Sequence, residues 1–143
     1  MAGFKFKTNT LGNHYWILQD HNNKTVADAQ QGNGYEDKRD AEHGADLFTK
    51  LGHDAPRREV EDGASTGANP DFEYFQSAKN DEWYWRFRAS NGRVVADGSE
   101  GYTSKAGVLR AIDNVQALLA ELLDEGGFEA PVAGGAVGGG RFA

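Results

Sequence analysis

The hydrophobic pattern of this chain runs through strand periods into a helix period, and then does so again. Phe4-Lys5-Phe6-Lys7 alternates apolar and charged positions, the period of a strand with one buried face. Asn9 to Asn13, with Gly12, reads as a turn. His14 to Asp20 reads as a second strand and Lys24 to Ala29 as a third, with Asn22-Asn23 as a two-residue hairpin turn between them. After a loop from Gln30 to Gly34 the period lengthens. Glu36 to Leu51 reads as a helix with acidic residues in its first turn and Gly52 as its stop. Its apolar stripe is Ala41, Ala45, Phe48 and Leu51. Gly44 in its middle costs about 1 kcal/mol against Ala, so the helix depends on packing.

Residues 53–70, HDAPRREVEDGASTGANP, hold no sustained period and read as a linker. Fully extended, such a segment spans roughly 60 Å, enough to carry the chain across a sheet. The pattern then restarts. Phe72 to Gln76, Glu82 to Ser90 and Arg93 to Gly98 read as strands, and Asn91-Gly92 is a strong hairpin signal. Thr103 or Ser104 caps a helix running to about Asp124, with the stripe Val108, Ile112, Val115, Leu119 and Leu122 and Gly126 at its end. Seven of the last eighteen residues are Gly, so 126–143 reads as a flexible tail, with Phe128 and Arg141-Phe142 as sticky points.

Sliding the chain on itself by 67 to 69 residues superposes the two patterns. Tyr15-Trp16 falls on Tyr84-Trp85, Val26-Ala27-Asp28 on Val95-Ala96-Asp97, Gly34-Tyr35 on Gly101-Tyr102, and Lys38 on Lys105. A unit of about 50 residues buries too little surface to stand alone comfortably. The expectation is therefore an α+β fold. Two tandem β-β-β-α repeats (1–52 and 71–125) share one antiparallel sheet, pseudo-twofold symmetric, with both helices packed on one face.

A two-residue turn at Asn91-Gly92 would set Ala89 opposite Val94, Arg88 opposite Val95, Phe87 opposite Ala96 and Arg86 opposite Asp97. Trp85, Phe87, Ala89, Val94 and Ala96 then share the face under the helices, with Trp16, Leu18 and Ala27 in the first half. The opposite face would carry Tyr84, Arg86, Arg88, Val95 and Asp97, with Tyr15, Ile17, Gln19, Val26 and Asp28 from the first half and Lys5, Glu73 and Phe75 from the first strands. That is too apolar for a purely solvated face if contiguous, and implies a covering partner or a second copy.

Composition narrows the chemistry. The 143 residues carry a formal net charge of -7 with a pI near 5.0 and no Cys. This excludes disulfides, a thiol nucleophile and thiolate metal sites. It also argues against broad duplex-DNA binding, which needs Lys and Arg against phosphates. Twelve Asp with few Lys suit a salt-adapted interior as well as an ordinary acidic protein. No apolar run approaches the roughly 18 residues of a membrane span, and the N-terminus lacks a signal-peptide core, so a cytoplasmic location is expected. His14, His21, His43 and His53 make no metal-binding spacing, and no cofactor or metal is expected. Nothing resembles a nucleophile elbow or a catalytic triad order, so the chain does not read as an enzyme.

From Trp85-Arg86-Phe87 through Asn91-Gly92, Ser99, Glu100-Gly101-Tyr102 and Ser104-Lys105 to Ile112, with Phe72 ahead of them, the second half resembles the YegP-like family of uncharacterised proteins over about 45 residues. The first half departs from that pattern. Ile17 replaces the Arg after Trp, Asn23 replaces the turn Gly, and two extra residues precede Gly34. The resemblance implies one sheet with helices on it, single repeats that pair, and tandem forms that mimic the pair; it implies no established activity.

The leading functional expectation is a non-catalytic protein-interaction or assembly module, self-association included. It would use Tyr15, Ile17, Phe75, Tyr84, Arg86, Arg88 and Val95 on the open sheet face. An alternative is single-stranded nucleic-acid binding, since Arg86 and Arg88 flank Phe87 near Tyr84. Against it, Asp97 opposite Arg86 offers a cross-strand ion pair, and the first half lacks both Arg. A second alternative is a small-ligand site at the Glu100–Ser104 junction, where a carboxylate and a Tyr staple before the helix also have a purely structural role.

Overall fold

The computed structural model describes residues 2–29, 34–65, 67 and 70–126. The tail expected over 126–143 lies outside them, apart from Gly126. The strands are β1 (Gly3–Thr8), β2 (His14–Gln19), β3 (Thr25–Ala29), β4 (Arg57–Glu59), β5 (Asp71–Gln76), β6 (Trp83–Arg88) and β7 (Val94–Asp97), and the helices are α1 (Lys38–Gly52) and α2 (Lys105–Gly126). One seven-stranded sheet runs in the order β1-β2-β3-β7-β6-β5-β4. Its centre is the antiparallel β3–β7 pair, which sets Asp28 against Asp97 and Ala29 against Ala96.

The sheet is mixed, which corrects the all-antiparallel expectation. Within the stretch read as linker, Arg57–Glu59 forms β4 and runs parallel to β5. Three exposed charged residues carry no hydrophobic period, so sequence pattern alone gave no sign of this strand. Its backbone bonds continue at both ends, where Phe72 N donates to Pro56 O (2.9 Å) and Val60 N donates to Tyr74 O (2.9 Å).

The two long hairpins depart from the expected turn in the same way. Each has a three-residue loop, closed by Asp20 N to Lys24 O (2.9 Å) in the first and by Ala89 N to Arg93 O (2.9 Å) in the second. The third loop residue is left-handed in both, Asn23 at φ 63° and Gly92 at φ 83°. This is the geometry of a type I turn followed by a left-handed residue. Asp20 Oδ1 accepts the backbone N–H of Asn22 (2.8 Å) and of Lys24 (3.0 Å), and the Lys24 bond chiefly holds its carboxyl below the usual carboxylate range.

The extra loop residue is compensated by a bulge one step further along. Arg88 pairs with Val94 but Phe87 pairs with Ala96, leaving Val95 as the inserted residue; Gln19 pairs with Thr25 and Leu18 with Ala27, leaving Val26. Thus Arg86–Asp97 and Phe87–Ala96 pair as expected, whereas Arg88–Val95 and Ala89–Val94 do not.

Both helices contribute to one hydrophobic core. Phe48 of α1 is its hub, with ring centroids 5.6 Å from Trp16, 6.2 Å from Trp85, 5.3 Å from Phe87 and 6.0 Å from Phe72. Such aromatic pairs add to the area they bury. Val108, Ile112, Val115 and Leu119 of α2 bury their stripe in the same core. Asp37 caps α1 by accepting Arg39 N (3.0 Å), and Ser104 Oγ accepts Gly107 N (3.0 Å) at the start of α2. Gln116 Nε2 ties the helices by donating to Gly52 O (2.8 Å) and Ala55 O (3.0 Å). Gly44 has a packing reason: a Cβ there would lie 2.7 Å from the Tyr35 hydroxyl.

Candidate functional site

The face of the sheet away from the helices carries a row of side chains that crosses all seven strands. The register aligns Lys5, Ile17, Asp28, Asp97, Arg86, Glu73 and Arg58. Six of these seven are ionisable, so the row is an electrostatic feature more than an apolar one.

On the second-half side the row is sealed. Glu73 is fully buried, although it points away from the core. Its Oε1 accepts from Arg86 Nε (2.7 Å) and Arg88 Nε (3.0 Å), and its Oε2 accepts from Ser65 Oγ (2.8 Å). Arg86 also donates to the Ala64 carbonyl. The chain after β4 therefore lies over this part of the sheet and covers the carboxylate. A buried carboxylate is tolerated when it is paired and hydrogen-bonded, and two guanidiniums with a hydroxyl meet that condition.

In the centre, Asp28 and Asp97 stand side by side. Burial, then the hydrogen bond to Asp28, then repulsion by Asp28 push the Asp97 carboxyl up to about 8. Two adjacent carboxylates on a partly buried surface do not both ionise readily, so the Asp97 carboxyl gives up its proton less easily than an exposed one. On the first-half side, Lys5 and Lys7 are exposed, and Tyr15, Ile17 and Gln19 are half-buried.

The structure distributes the expected site residues unevenly. Tyr15 and Ile17 lie, half-buried, on the first-half side of this face. Phe75, Tyr84, Arg86 and Arg88 form a bonded group on the second half. Phe75 stacks on Tyr84 at 6.0 Å, the Arg86 guanidinium sits 4.7 Å over the Phe75 ring, and Asn80 Nδ2 donates to Tyr84 Oη (2.9 Å). Arg88 reaches the Gly92 carbonyl (2.8 Å). The acidic row at Asp28 and Asp97 separates the two groups, so they do not form the contiguous apolar patch that the sequence suggested.

Two corrections follow. Val95 does not belong to this face: the bulge places it in the core, 7% exposed. Val26, at the matching bulge, likewise packs against the core. The expected Arg86–Asp97 ion pair gives way to Arg86–Glu73. Asp97 takes Asp28 as its partner, and Arg86 meets a carboxylate in a drier, hydrogen-bonded setting. Sequence reading put Glu73 on this face but missed its pairing with the two Arg, and missed Ser65, because the linker that completes their site has no period. The Asp28–Asp97 pair was also missed, although the two Asp superpose at one repeat offset.

At the Glu100–Ser104 junction, Lys24 Nζ lies 3.4 Å from Glu100 Oε2, and Trp83 and Tyr102 exchange backbone bonds of 2.7 and 2.8 Å. A Cβ at Gly101 would meet the Tyr84 ring at 2.8 Å, so the junction itself is filled. Burial and then Glu100 raise the Tyr102 hydroxyl above its ordinary value. His21 and His53 face carboxylates singly, Glu121 and Asp54. Among the described residues there is no group of three or more His, Asp or Glu placed to hold a metal ion. None of their helices is long and apolar enough to cross a membrane.

An α+β chain with one mixed sheet and two helices on it defines a class that comparison with known proteins makes specific. Solution structures of UPF0339 protein SO3888 from Shewanella oneidensis and of the protein of unknown function yegP from E. coli share the fold, with TM-scores of 0.60 and 0.62. Each is 16% identical to this chain; the first match covers 81% of this chain and 82% of the other, the second 82% and 85%. Residues 78–122 match a family described as a domain of unknown function (DUF1508). UPF0339 protein Atu5359 of Agrobacterium fabrum is 49% identical over 45 residues, 32% of this chain and 69% of its own length. UPF0339 protein NMB1088 of Neisseria meningitidis serogroup B is 45% identical over 42 residues, 29% of this chain and 71% of its own. The chain belongs to this uncharacterised, YegP-like UPF0339 family.

Proposed function

We propose that the chain is a non-catalytic protein-binding module whose docking surface is the first-half side of the sheet face, centred on Tyr15 and Ile17 and rimmed by Lys5 and Lys7. One observation carries the reading. The second-half side is covered by residues 60–65 of the chain itself, whereas among the described residues nothing equivalent lies over the first-half side. On this reading the chain is a duplicated β-β-β-α unit, with an approximate twofold axis between β3 and β7. The strand order and the two matching hairpins support that. One copy fills its own open face and the other presents it to a partner. The partner is a protein segment bearing acidic and apolar side chains, to meet two Lys around a Tyr and an Ile.

The test is a nuclease-treated pull-down from native lysate with the full chain and with a Tyr15→Asp/Ile17→Asp double variant, alongside the mass of each by light scattering. The expected outcome is a protein partner or homo-oligomer held by the parent and lost by the variant, with unchanged circular dichroism. Equal association by both proteins would exclude this surface. Loss of every associate on nuclease treatment would instead favour single-stranded nucleic acid.

A further inference from the structure

On the helix side, a cleft of about 520 Å³ lies between the first hairpin loop and α2. That volume falls in the range of small-molecule sites. Its apolar lining includes Val26, Ala111, Ala117 and Leu118, with Gly107 beside Tyr102. The charges around it are nearly all spoken for. Asp20 is held by the loop amides, Glu121 by His21 (2.8 Å), and Lys24 by Glu100 (3.4 Å). Three amide or guanidinium side chains of the lining are left: Asn22 in the loop, and the pair Arg110 and Asn114 on α2. None forms an ion pair or side-chain hydrogen bond among the described residues. Arg110 and Asn114 stand four residues apart on α2, one above the other on the same helix face.

A second cleft, of about 400 Å³, lies between the other hairpin loop and α1. Its lining residues Tyr35, His43, Gly44 and Leu47 are each 67 positions before Tyr102, Arg110, Ala111 and Asn114. The two clefts share a Tyr, a bulged Val and a small helix residue, and differ at the polar pair. His43 and Leu47 stand where the first cleft has a guanidinium and a carboxamide.

We infer that the first cleft binds a small organic carboxylate, with Arg110 and Asn114 on the carboxylate and the apolar body over Val26, Ala111 and Leu118. A guanidinium bonds a carboxylate through two parallel N–H donors, and the Asn114 amide adds a further donor one turn away. The second cleft, without that pair, does not take the ligand. This site is on the opposite side of the sheet from the protein-docking surface and stands independently of it.

The test is a titration of the ¹⁵N-labelled full chain with 1-naphthoate, followed by amide chemical shifts, with the neutral 1-naphthalenemethanol as comparison. Naphthoate should give saturable shifts at Val26, Gly107, Ala111 and Leu118, and leave Val94 and Leu47 in place. The neutral alcohol, and naphthoate with Arg110→Gln, should each bind about tenfold or more weakly, the loss expected for one charge-assisted contact. Arg110 is exposed, so Arg110→Gln is expected to fold. Absence of saturable shifts, shifts centred on the second cleft, or equal binding by Arg110→Gln would each overturn the inference.

Discussion

The two halves of the sheet face solve one problem in opposite ways. At matching positions in the row, the first half has Lys5 and Ile17 and the second has Glu73 and Arg86. The second half makes its face a small polar interior. A carboxylate is fully buried under a loop, neutralised by two guanidiniums and capped by a hydroxyl. The first half has exposed Lys5 and Lys7 beside half-buried Tyr15 and Ile17. The difference teaches that a sheet face need not be apolar to be covered; a loop that supplies the right hydrogen-bond partners suffices. It also explains why the face looked ambiguous in sequence, since its residues belong to two surfaces of different character.

The comparison breaks most sharply at the bulge. Val95→Asp should cost about 3–5 kcal/mol in chemical denaturation, because it places an unpaired carboxylate in the core. Ile17→Asp, on the sheet's other face, should cost about 1 kcal/mol or less. If the two cost the same, the assignment of Val95 to the core side is wrong. Next in size is the buried carboxylate. Arg86→Ala removes one of its two guanidiniums and should destabilise by about 3 kcal/mol. Lys5→Ala, at the position matching Glu73, should change stability by less than about 0.5 kcal/mol.

The carboxyl pair at the boundary sharpens the comparison through pH. Asp97 has a folded-state pKa near 8 against 3.8 unfolded, so the folded state binds more protons between those values. Its contribution is fully present below about pH 3.8 and declines as pH rises toward 8. Asp97→Asn should therefore flatten the fall in stability between about pH 5 and 8, measured by urea denaturation at several pH values. An unchanged slope would argue against a raised Asp97 carboxyl. A small effect belongs to the loop: Ser65→Ala removes the hydroxyl that donates to Glu73 and should cost about 1 kcal/mol.

Much of the fold was legible because periodicity and burial coincide where the core is. The six long strands, both helices and the Arg86–Asp97 register follow from alternation, stripes and turn residues. What escaped depended on geometry without a period. Arg57–Glu59 is charged and three residues long, so only its neighbour β5 makes it a strand. The third loop residue and the compensating bulge shift Val95 by one position without changing the pattern of letters around it. For the site, Tyr15 and Ile17 kept their expected surface, whereas Arg86 and Arg88 acquired a partner supplied from thirteen and fifteen positions away and sealed by the former linker.

The central strand pair also has a kinetic consequence. β2–β3 and β6–β7 are joined by three-residue loops, but β3–β7 brings together Asp28 and Asp97, far apart along the chain. Closing a large loop costs entropy before its contacts repay it, so this pairing governs contact order and is expected to limit the folding rate. Hairpins can form within each half on the microsecond scale, while the transition state waits for β3 to meet β7. Substitutions at Ala29 or Ala96 should then slow folding, and those at the outer strands should chiefly speed unfolding.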